Sequence, residues 1–320
     1  MSSNRTDAAD PVIEIQQLTK DYQVGFLKTR TVRALDHLDL EVRRGEIFGF
    51  LGPNGAGKTT TLKLLIGLIF PTSGSARILG RPFDDVATRS RIGFLPENPY
   101  FYDYLTGREL LEYTAALFGI AKQQVRPRAA ELLNLVGLDE DRANRQLRKY
   151  SKGMLQRIGI AQALVNDPEV VFMDEPMSGL DPIGRREVRD LLLSLRAKNK
   201  TVFFSSHILS DVEAICDRAA ILNRGKLLKC GSVQELTGDQ GDYLEIVAVG
   251  IDPSSIHVFT EHLPSDASVT ATPSGVNLGI RSEGDVDQAI RLIHQCGGKL
   301  VSINPRRASL EDLFPTQQSE

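Results

Sequence analysis

The chain has 320 residues, of which 41% are hydrophobic and 25% charged, so it is long enough to bury a core and to form about two domains. Its formal net charge of -3 gives no overall attraction to phosphate backbones, and we therefore expect no nucleic acid partner. Cys216, Cys230 and Cys296 are few and widely spaced, which excludes a disulfide framework and fits a reducing compartment.

The N-terminal part of the chain combines a polar tail with strand patterns. Residues 1–10 are polar and predict a disordered tail. Residues 12–15 and 38–42 alternate between apolar and polar side chains, which predicts strands. The apolar run 47–51 predicts a strand that leads through a glycine-rich loop into a helix at 59–68.

No stretch of the sequence is apolar for long enough to predict a membrane span. The most apolar one, 62–70, is far shorter than the ~20 residues that a spanning helix needs. We therefore expect a soluble chain, and any membrane-spanning part of its machinery would be another chain.

The middle of the chain changes from a helical to a strand pattern. Apolar residues recur at helical spacing within about 100–165, which predicts an inserted helical subdomain. The apolar runs 170–173 and 201–204 are each followed by a helical stretch, as in parallel sheets with right-handed crossovers. We expect one α/β domain over 11–236, with a mostly parallel central sheet and antiparallel strands near its N-terminus.

The C-terminal part predicts a separate small domain. A glycine-containing linker at 238–241 precedes elements in the order βαββαβ, which indicates an α+β accessory domain of ferredoxin-like type over 242–315. It carries no metal cluster, nucleophile pair or phosphate loop, so we expect it to be non-catalytic.

The strongest chemical motif is the glycine-rich loop at 52–59, which reads G-P-N-G-A-G-K-T. It lies between a strand and a helix, the context in which backbone N–H groups and a helix N-terminus bind phosphates. Lys58 is expected to reach the β- and γ-phosphates, and Thr59 to ligate Mg²⁺. A plain glycine turn is the bland alternative. The predicted nucleotide-binding residues of this region are Gly52, Asn54, Gly55, Ala56, Gly57, Lys58, Thr59 and Thr60.

Two carboxylates end the apolar strand at 170–173, at the edge where parallel sheets bind ligands. Asp174 is expected to hold Mg²⁺, and Glu175 to activate the attacking water as the catalytic base. Helix capping is the structural alternative for both. His207, which follows the strand at 201–204, is the second predicted catalytic residue, because there it can bond the γ-phosphate and orient Glu175.

With these motifs in place, the sequence resembles the ATP-binding cassette (ABC) ATPases over roughly 12–236. Ser151, Lys152 and Gly153, within Y-S-K-G-M at 150–154, resemble the family's signature motif. Asp181 ends a segment similar to the D-loop, and Tyr22 matches the aromatic residue that stacks on adenine. The start of a helix at the signature suits a second phosphate contact.

The chain departs from the family pattern in two places. Lys152 and Met154 stand where the signature usually has glycine and glutamine. Glu97 stands where the Q-loop usually offers a glutamine to the metal, and a carboxylate suits Mg²⁺ at least as well.

The resemblance implies an ATPase that uses ATP and Mg²⁺ and works as a head-to-tail dimer, with a second copy or another paired cassette. It also implies a transmembrane permease as partner, substrate export, and a peripheral location on the cytoplasmic side of the cell membrane, with membrane contact only through the permease. The C-terminal unit and its ending at 309–314 are similar to the extensions of prokaryotic exporter subunits.

Two other functions remain open at this point. A soluble ABC ATPase acting on nucleic acid or ribosomes would share the same motifs, although no tandem cassette or long insertion is seen. A metabolite kinase would explain Lys58 and Asp174, but not the signature, the D-loop or His207.

Four aromatic residues lie between 100 and 104, directly after Glu97. They can pack the helical subdomain against the core, or they can form a surface that receives a helix of the permease. The sequence leaves both interpretations open.

Overall fold

A computed structural model of the chain describes residues 11–25, 30–238, 243–252, 255–264, 266–306 and 310. The chain divides into two compact units, Met1–Val233 and Gln234–Glu320. The predicted tail at 1–10, and most of the predicted linker at 238–241 and of the ending at 309–314, lie outside the described residues.

The strands of the first unit form two sheets. In chain order they are β1 (Pro11–Val24), β2 (Arg30–Arg43), β3 (Ile47–Leu51), β4 (Ser73–Ile78), β5 (Arg81–Pro82), β6 (Ile92–Leu95), β7 (Val170–Asp174), β8 (Thr201–Ser206), β9 (Arg218–Asn223) and β10 (Lys226–Ser232).

The central sheet has the order β10-β9-β3-β8-β7-β6. All neighbouring pairs are parallel except β10 with β9. Every residue of β3, β7 and β8 is buried, which explains their continuous apolar runs, because parallel strands are covered on both faces. Phe48, Phe50, Phe172 and Phe203 form a contiguous aromatic group in this core. The predicted mostly parallel central sheet is confirmed.

The second sheet is antiparallel and has the order β2-β1-β4-β5. Its first strand is much longer than the predicted 12–15. The pairing of β1 shifts register between Ile15 and Leu18, and Gln17 has a φ of 49°. This irregularity breaks the period-2 pattern after Ile15, so the sequence pattern ends where the strand continues.

The helices of this unit follow the strands or form the inserted subdomain. They are α1 (Lys58–Leu65), α2 (Val86–Arg89), α3 (Gly107–Leu117), α4 (Lys122–Leu135), α5 (Glu140–Ala143), α6 (Lys152–Ala163), α7 (Pro182–Ala197) and α8 (Leu209–Ile215), and α9 (Val233–Gly238) begins where the chain divides.

Helix α1 can be compared with its predicted segment, and α3 is defined by its N-terminal cap. α1 begins one residue earlier and ends three residues earlier than the predicted 59–68, because Gly67 takes a left-handed φ of 70°. α3 starts with a capping box between Thr106 and Glu109, which fixes its first turn. Among the described residues, no helix has both the length and the apolarity required to cross a bilayer.

The second unit contains β11 (Tyr243–Val249), α10 (Ile256–His262), β12 (Ser268–Thr272), β13 (Gly275–Ile280), α11 (Glu283–Gln295) and β14 (Lys299–Arg306). Its sheet is antiparallel, with the order β12-β13-β11-β14. Residues such as Phe259, Ile246 and Ile293 form a core of its own. The order βαββαβ and the sheet order agree with the predicted ferredoxin-like α+β fold.

Candidate functional site

The glycine-rich loop joins the carboxyl end of β3 to the first residue of α1. Gly55 and Gly57 have φ values of 79° and 109°, which favour glycine. A side chain at Gly57 would also place its Cβ 2.5 Å from the carbonyl oxygen of Ala34. Gly57 is the N-cap of α1 and supplies no side-chain cap, so the first N–H groups of the helix are left for a ligand.

Lys58, Glu175 and His207 form one cluster, in which Lys58 and Glu175 are buried and His207 is exposed. The Nζ atom of Lys58 donates to the carbonyl oxygen of Gly52 at 2.7 Å and lies 3.4 Å from Oε1 of Glu175. The other carboxylate oxygen, Oε2, is 2.8 Å from Nδ1 of His207. Lys58 and Glu175 are 5% and 7% exposed, so the two opposite charges are held largely out of water.

Asp174 and Glu175 are connected through a side chain that the sequence reasoning did not single out. The hydroxyl of Ser205, on β8, donates to Oδ1 of Asp174 at 2.6 Å and accepts from the backbone N–H of Glu175 at 3.0 Å. Glu175 has a φ of 49°, an unusual left-handed conformation for a residue with a side chain. The only sequence signal for Ser205 was a pair of serines at the end of an otherwise apolar strand.

Lys58, Glu175 and His207 line a cavity of about 420 Å³ at the carboxyl ends of the parallel strands. Predicted residues on its wall are Asn54, Gly55, Ala56, Gly57, Lys58, Thr59, Thr60, Glu97, Glu175 and His207. Ala34 and Ser178 also line it and were not predicted. Gly52 and Asp174 do not line it, but Gly52 bonds Lys58 and Asp174 lies behind Glu175 through Ser205.

The donor set near Thr59 suits a hard divalent cation. Thr59 and Glu97 both line the cavity, and the Asp174 carboxylate is joined to the cavity residue Glu175 through the Ser205 hydroxyl. Oxygen donors of this kind fit Mg²⁺, which usually keeps several waters and binds one or two carboxylates together with phosphate oxygens. The residues therefore fit the predicted metal.

Tyr22 lies on β1, opposite Val32 of β2. The Nζ atom of Lys20 lies 5.2 Å from the centroid of its ring. Tyr22 does not line the cavity, whereas Ala34, two residues along β2 from Val32, does. Its stacking on adenine stays a prediction.

The predicted signature residues lie at the start of α6, away from the loop cavity. Ser151 is the N-cap of α6, and its hydroxyl accepts from the N–H of Met154 at 3.3 Å. Ser151, Lys152, Gly153 and Asp181 line a second cavity of about 320 Å³. Among the described residues, none of these four lines the cavity that contains Lys58.

Gly153 has no steric need for glycine within its own chain. A Cβ built there would lie 4.0 Å from its nearest neighbour, Cδ2 of Leu180. By contrast, a Cβ at Gly179 would fall 1.9 Å from Nζ of Lys152, so the Lys152 ammonium lies against the D-loop. Close approach of an outside group is one reason for a glycine at 153.

The aromatic segment after Glu97 is mostly on the surface. Tyr100, Tyr102 and Tyr104 are 96%, 52% and 60% exposed, and the ring of Tyr102 contacts those of Tyr104 and Tyr113. Phe101 is half-buried and lies close to Gly159 of α6. The three tyrosines thus form an exposed patch rather than a core contact.

Similar proteins place these features in a family. Residues 35–178 match the family described as ABC transporter. The chain is 47% identical to an uncharacterized ABC transporter ATP-binding protein of Synechocystis sp., over 97% of this chain and 85% of that protein. It is 34% identical to Nod factor export ATP-binding protein I of Cupriavidus metallidurans, over 90% of this chain and 96% of that protein.

A solved structure has the same fold over 69% of this chain. It is a dimeric structure of a post-hydrolysis state of the ATP-binding cassette MJ0796 bound to ADP and Pi. The TM-score is 0.63 at 27% identity, covering 69% of this chain and 98% of that one.

Proposed function

The chain belongs to the family of ABC transporter ATP-binding proteins, and from this premise we propose that it powers export by a separate membrane permease. Two copies would bind ATP and Mg²⁺ between them in head-to-tail arrangement, and hydrolysis would reopen the pair. The export direction is supported by the similarity to a Nod factor export subunit over 90% of the chain.

The proposal of a site shared by two copies rests on one observation. Lys58, Glu175 and His207 share one cavity, while Ser151 and Gly153 belong to another. A signature motif can therefore contact a γ-phosphate held by Lys58 only if that motif belongs to a second molecule. The exposed N-terminus of α6 suits such a contact, because it offers a serine hydroxyl and free N–H groups.

The geometry suggests how each side chain acts. Lys58 exchanges its bonds to the Gly52 carbonyl and Glu175 for the β- and γ-phosphates. Glu175 is then free to accept the proton of a water that attacks the γ-phosphorus, as the bond to the bridging oxygen breaks and ADP leaves. His207, already 2.8 Å from Glu175, keeps that carboxylate in place. Bound Mg²⁺ would supply charge neutralisation on the phosphates, with Thr59, Asp174 and Glu97 as its protein partners.

We place the permease at the tyrosine patch formed by Tyr100, Tyr102 and Tyr104. Exposed tyrosines offer a large apolar area with a polar hydroxyl, which is the composition of interface centres. The patch directly follows Glu97, so movement of a docked permease segment would reach the metal site through a few residues of backbone. Docking here would hold the chain at the cytoplasmic face of the membrane, without membrane contact of its own.

The decisive test is Glu175→Gln, which keeps the shape of the side chain and removes the base. We expect ATP hydrolysis to fall at least about 100-fold, while ATP binding persists and ATP converts monomers into dimers. Turnover by phosphate release and mass by light scattering measure both effects. Glu131→Gln, an exposed change on α4, is the matched control and should leave both unchanged. Steady hydrolysis by the Glu175→Gln protein would overturn the assignment.

A further inference from the structure

Asp211, in the first turn of α8, is a buried acid that the mechanism above does not use. It is 3% exposed, and its Oδ2 atom is fully buried without a hydrogen-bond partner. An acidic side chain in the first turn of a helix usually stabilises the N-terminus of that helix. In α8, however, no side chain caps the N-terminus. An incompletely bonded carboxylate is costly to bury, so its retention points to a role outside stability.

The charged side chains around Asp211 belong to two parts of the fold. His207, four residues earlier, and Glu175 belong to the catalytic cluster, and Arg185 and Arg189 are on α7, which packs against α8. Burial raises the pKa of Asp211 most strongly and Glu175 raises it further, whereas the two arginines and His207 lower it.

Arg185 connects this acid to the D-loop. Its Nε donates to the carbonyl oxygen of Leu180 at 3.3 Å, and Leu180 lines the signature cavity beside Asp181. Arg189 lies one turn further along α7, and among the described residues it forms no ion pair or side-chain hydrogen bond. One hydrogen bond thus joins the D-loop to Arg185, another contact joins His207 to Glu175, and the buried Asp211 is within electrostatic range of Arg185, His207 and Glu175.

We propose that Asp211 is a positioning residue that couples the D-loop to the catalytic pair through Arg185. The inference rests on the proposed function, since it assumes that Glu175 and His207 act on a nucleotide shared by two copies. When a partner contacts the D-loop, Arg185 moves with the Leu180 carbonyl. The distance between this cation and Asp211 then changes, and His207, two residues before the first residue of α8, moves with the helix.

The test is Asp211→Asn, which removes the charge and keeps the shape. We expect two effects of opposite sign. The nucleotide-free protein should melt about 2 °C higher, because a buried, poorly bonded charge is gone. The kcat for ATP should fall about tenfold, with KM for ATP changed less than about twofold, because alignment and not binding is lost.

Arg185→Gln and the double variant test the coupling. If both residues act in one connection, Arg185→Gln alone lowers kcat and the double variant is no slower than the worse single one. Asp190→Asn, an exposed change on α7, is the control and should alter neither quantity.

The outcomes separate this inference from the proposed function. An unchanged kcat in Asp211→Asn, a joint fall in Tm and kcat, or additive effects in the double variant would each overturn the positioning role. If Asp211→Asn does not fold, Arg185→Gln decides, and normal kcat there overturns it as well. None of these results bears on Glu175→Gln, whose continued turnover would instead remove the proposed function.

Discussion

At the scale of single residues, each carboxylate oxygen of Glu175 has a different close neighbour. Lys58 is 3.4 Å from one carboxylate oxygen and His207 is 2.8 Å from the other. Because Lys58 and Glu175 are both buried, removal of either side chain leaves the other charge with less compensation. We expect nucleotide binding to replace the Lys58–Glu175 contact by a contact between Lys58 and phosphate.

We therefore predict that Lys58→Ala abolishes ATP binding and hydrolysis and also destabilises the empty protein. The free energy of unfolding should fall by about 1–3 kcal/mol, because Glu175 keeps only His207 as a close partner. Titration with a fluorescent ATP analogue and denaturant unfolding measure the two effects. Lys63→Ala, an exposed lysine on the same helix, is the matched control. ATP affinity within a few-fold of the parent chain would contradict the prediction.

The residues of this cluster were predictable to different degrees. Lys58, Glu175 and His207 each follow or end a local pattern, and the parallel sheet brings the ends of β3, β7 and β8 to one edge. Ser205 could not be assigned in the same way. Its bonds to Asp174 and to the Glu175 N–H depend on the registry of neighbouring strands, which a single sequence does not specify.

At the scale of elements, uniform patterns were easier to predict than irregular ones. The buried strands β7 and β8 are continuous apolar runs, and the predicted segments 170–173 and 201–204 lie within them. β1 was predicted at less than its full length, since a bulge near Gln17 interrupts its alternation. The exposure of the tyrosine patch was also open, because aromatic residues suit both cores and interfaces.

The prediction at this scale concerns the tyrosine patch. Tyr100→Ala combined with Tyr102→Ala should leave basal ATPase activity unchanged, because neither ring lines the nucleotide cavity. Recovery of the chain with its permease from membranes should fall about tenfold or more, as expected when central tyrosines of an interface are removed. ATPase assays on the purified chain and quantitative co-purification measure the two effects.

The control for the patch is Leu228→Ala, a comparably exposed apolar residue on β10. It should change neither measurement. If the double tyrosine variant lost basal activity and thermal stability together, the tyrosines would be part of the packing of the helical subdomain. If it retained full co-purification, the permease would bind elsewhere.

At the scale of the whole molecule, the first unit has two separate cavities, which we propose to be the two halves of a shared nucleotide site. The loop cavity holds Lys58, and the signature cavity holds Ser151. In a dimer with two-fold symmetry, a contact from one half-site to the other occurs twice, because residue i of one copy meets residue j of its partner and the reverse. Two nucleotides would then be bound per dimer. The second unit has its own core.

This arrangement predicts an ATP-dependent crosslink between different copies. One preparation carries Asn54→Cys, at an exposed position within the glycine-rich loop, and the other carries Ser151→Cys. Both have the Glu175→Gln background and Cys230→Ser, which removes an exposed native thiol. Mixed with ATP and Mg²⁺ and a short bifunctional thiol reagent, they should form a covalent heterodimer, because the nucleotide brings the loop of one copy to the signature of the other. Neither preparation alone, nor the mixture without ATP, should give it. A mixture that stays monomeric with saturating ATP would show that the two half-sites never share a nucleotide, and the head-to-tail dimer would have to be abandoned.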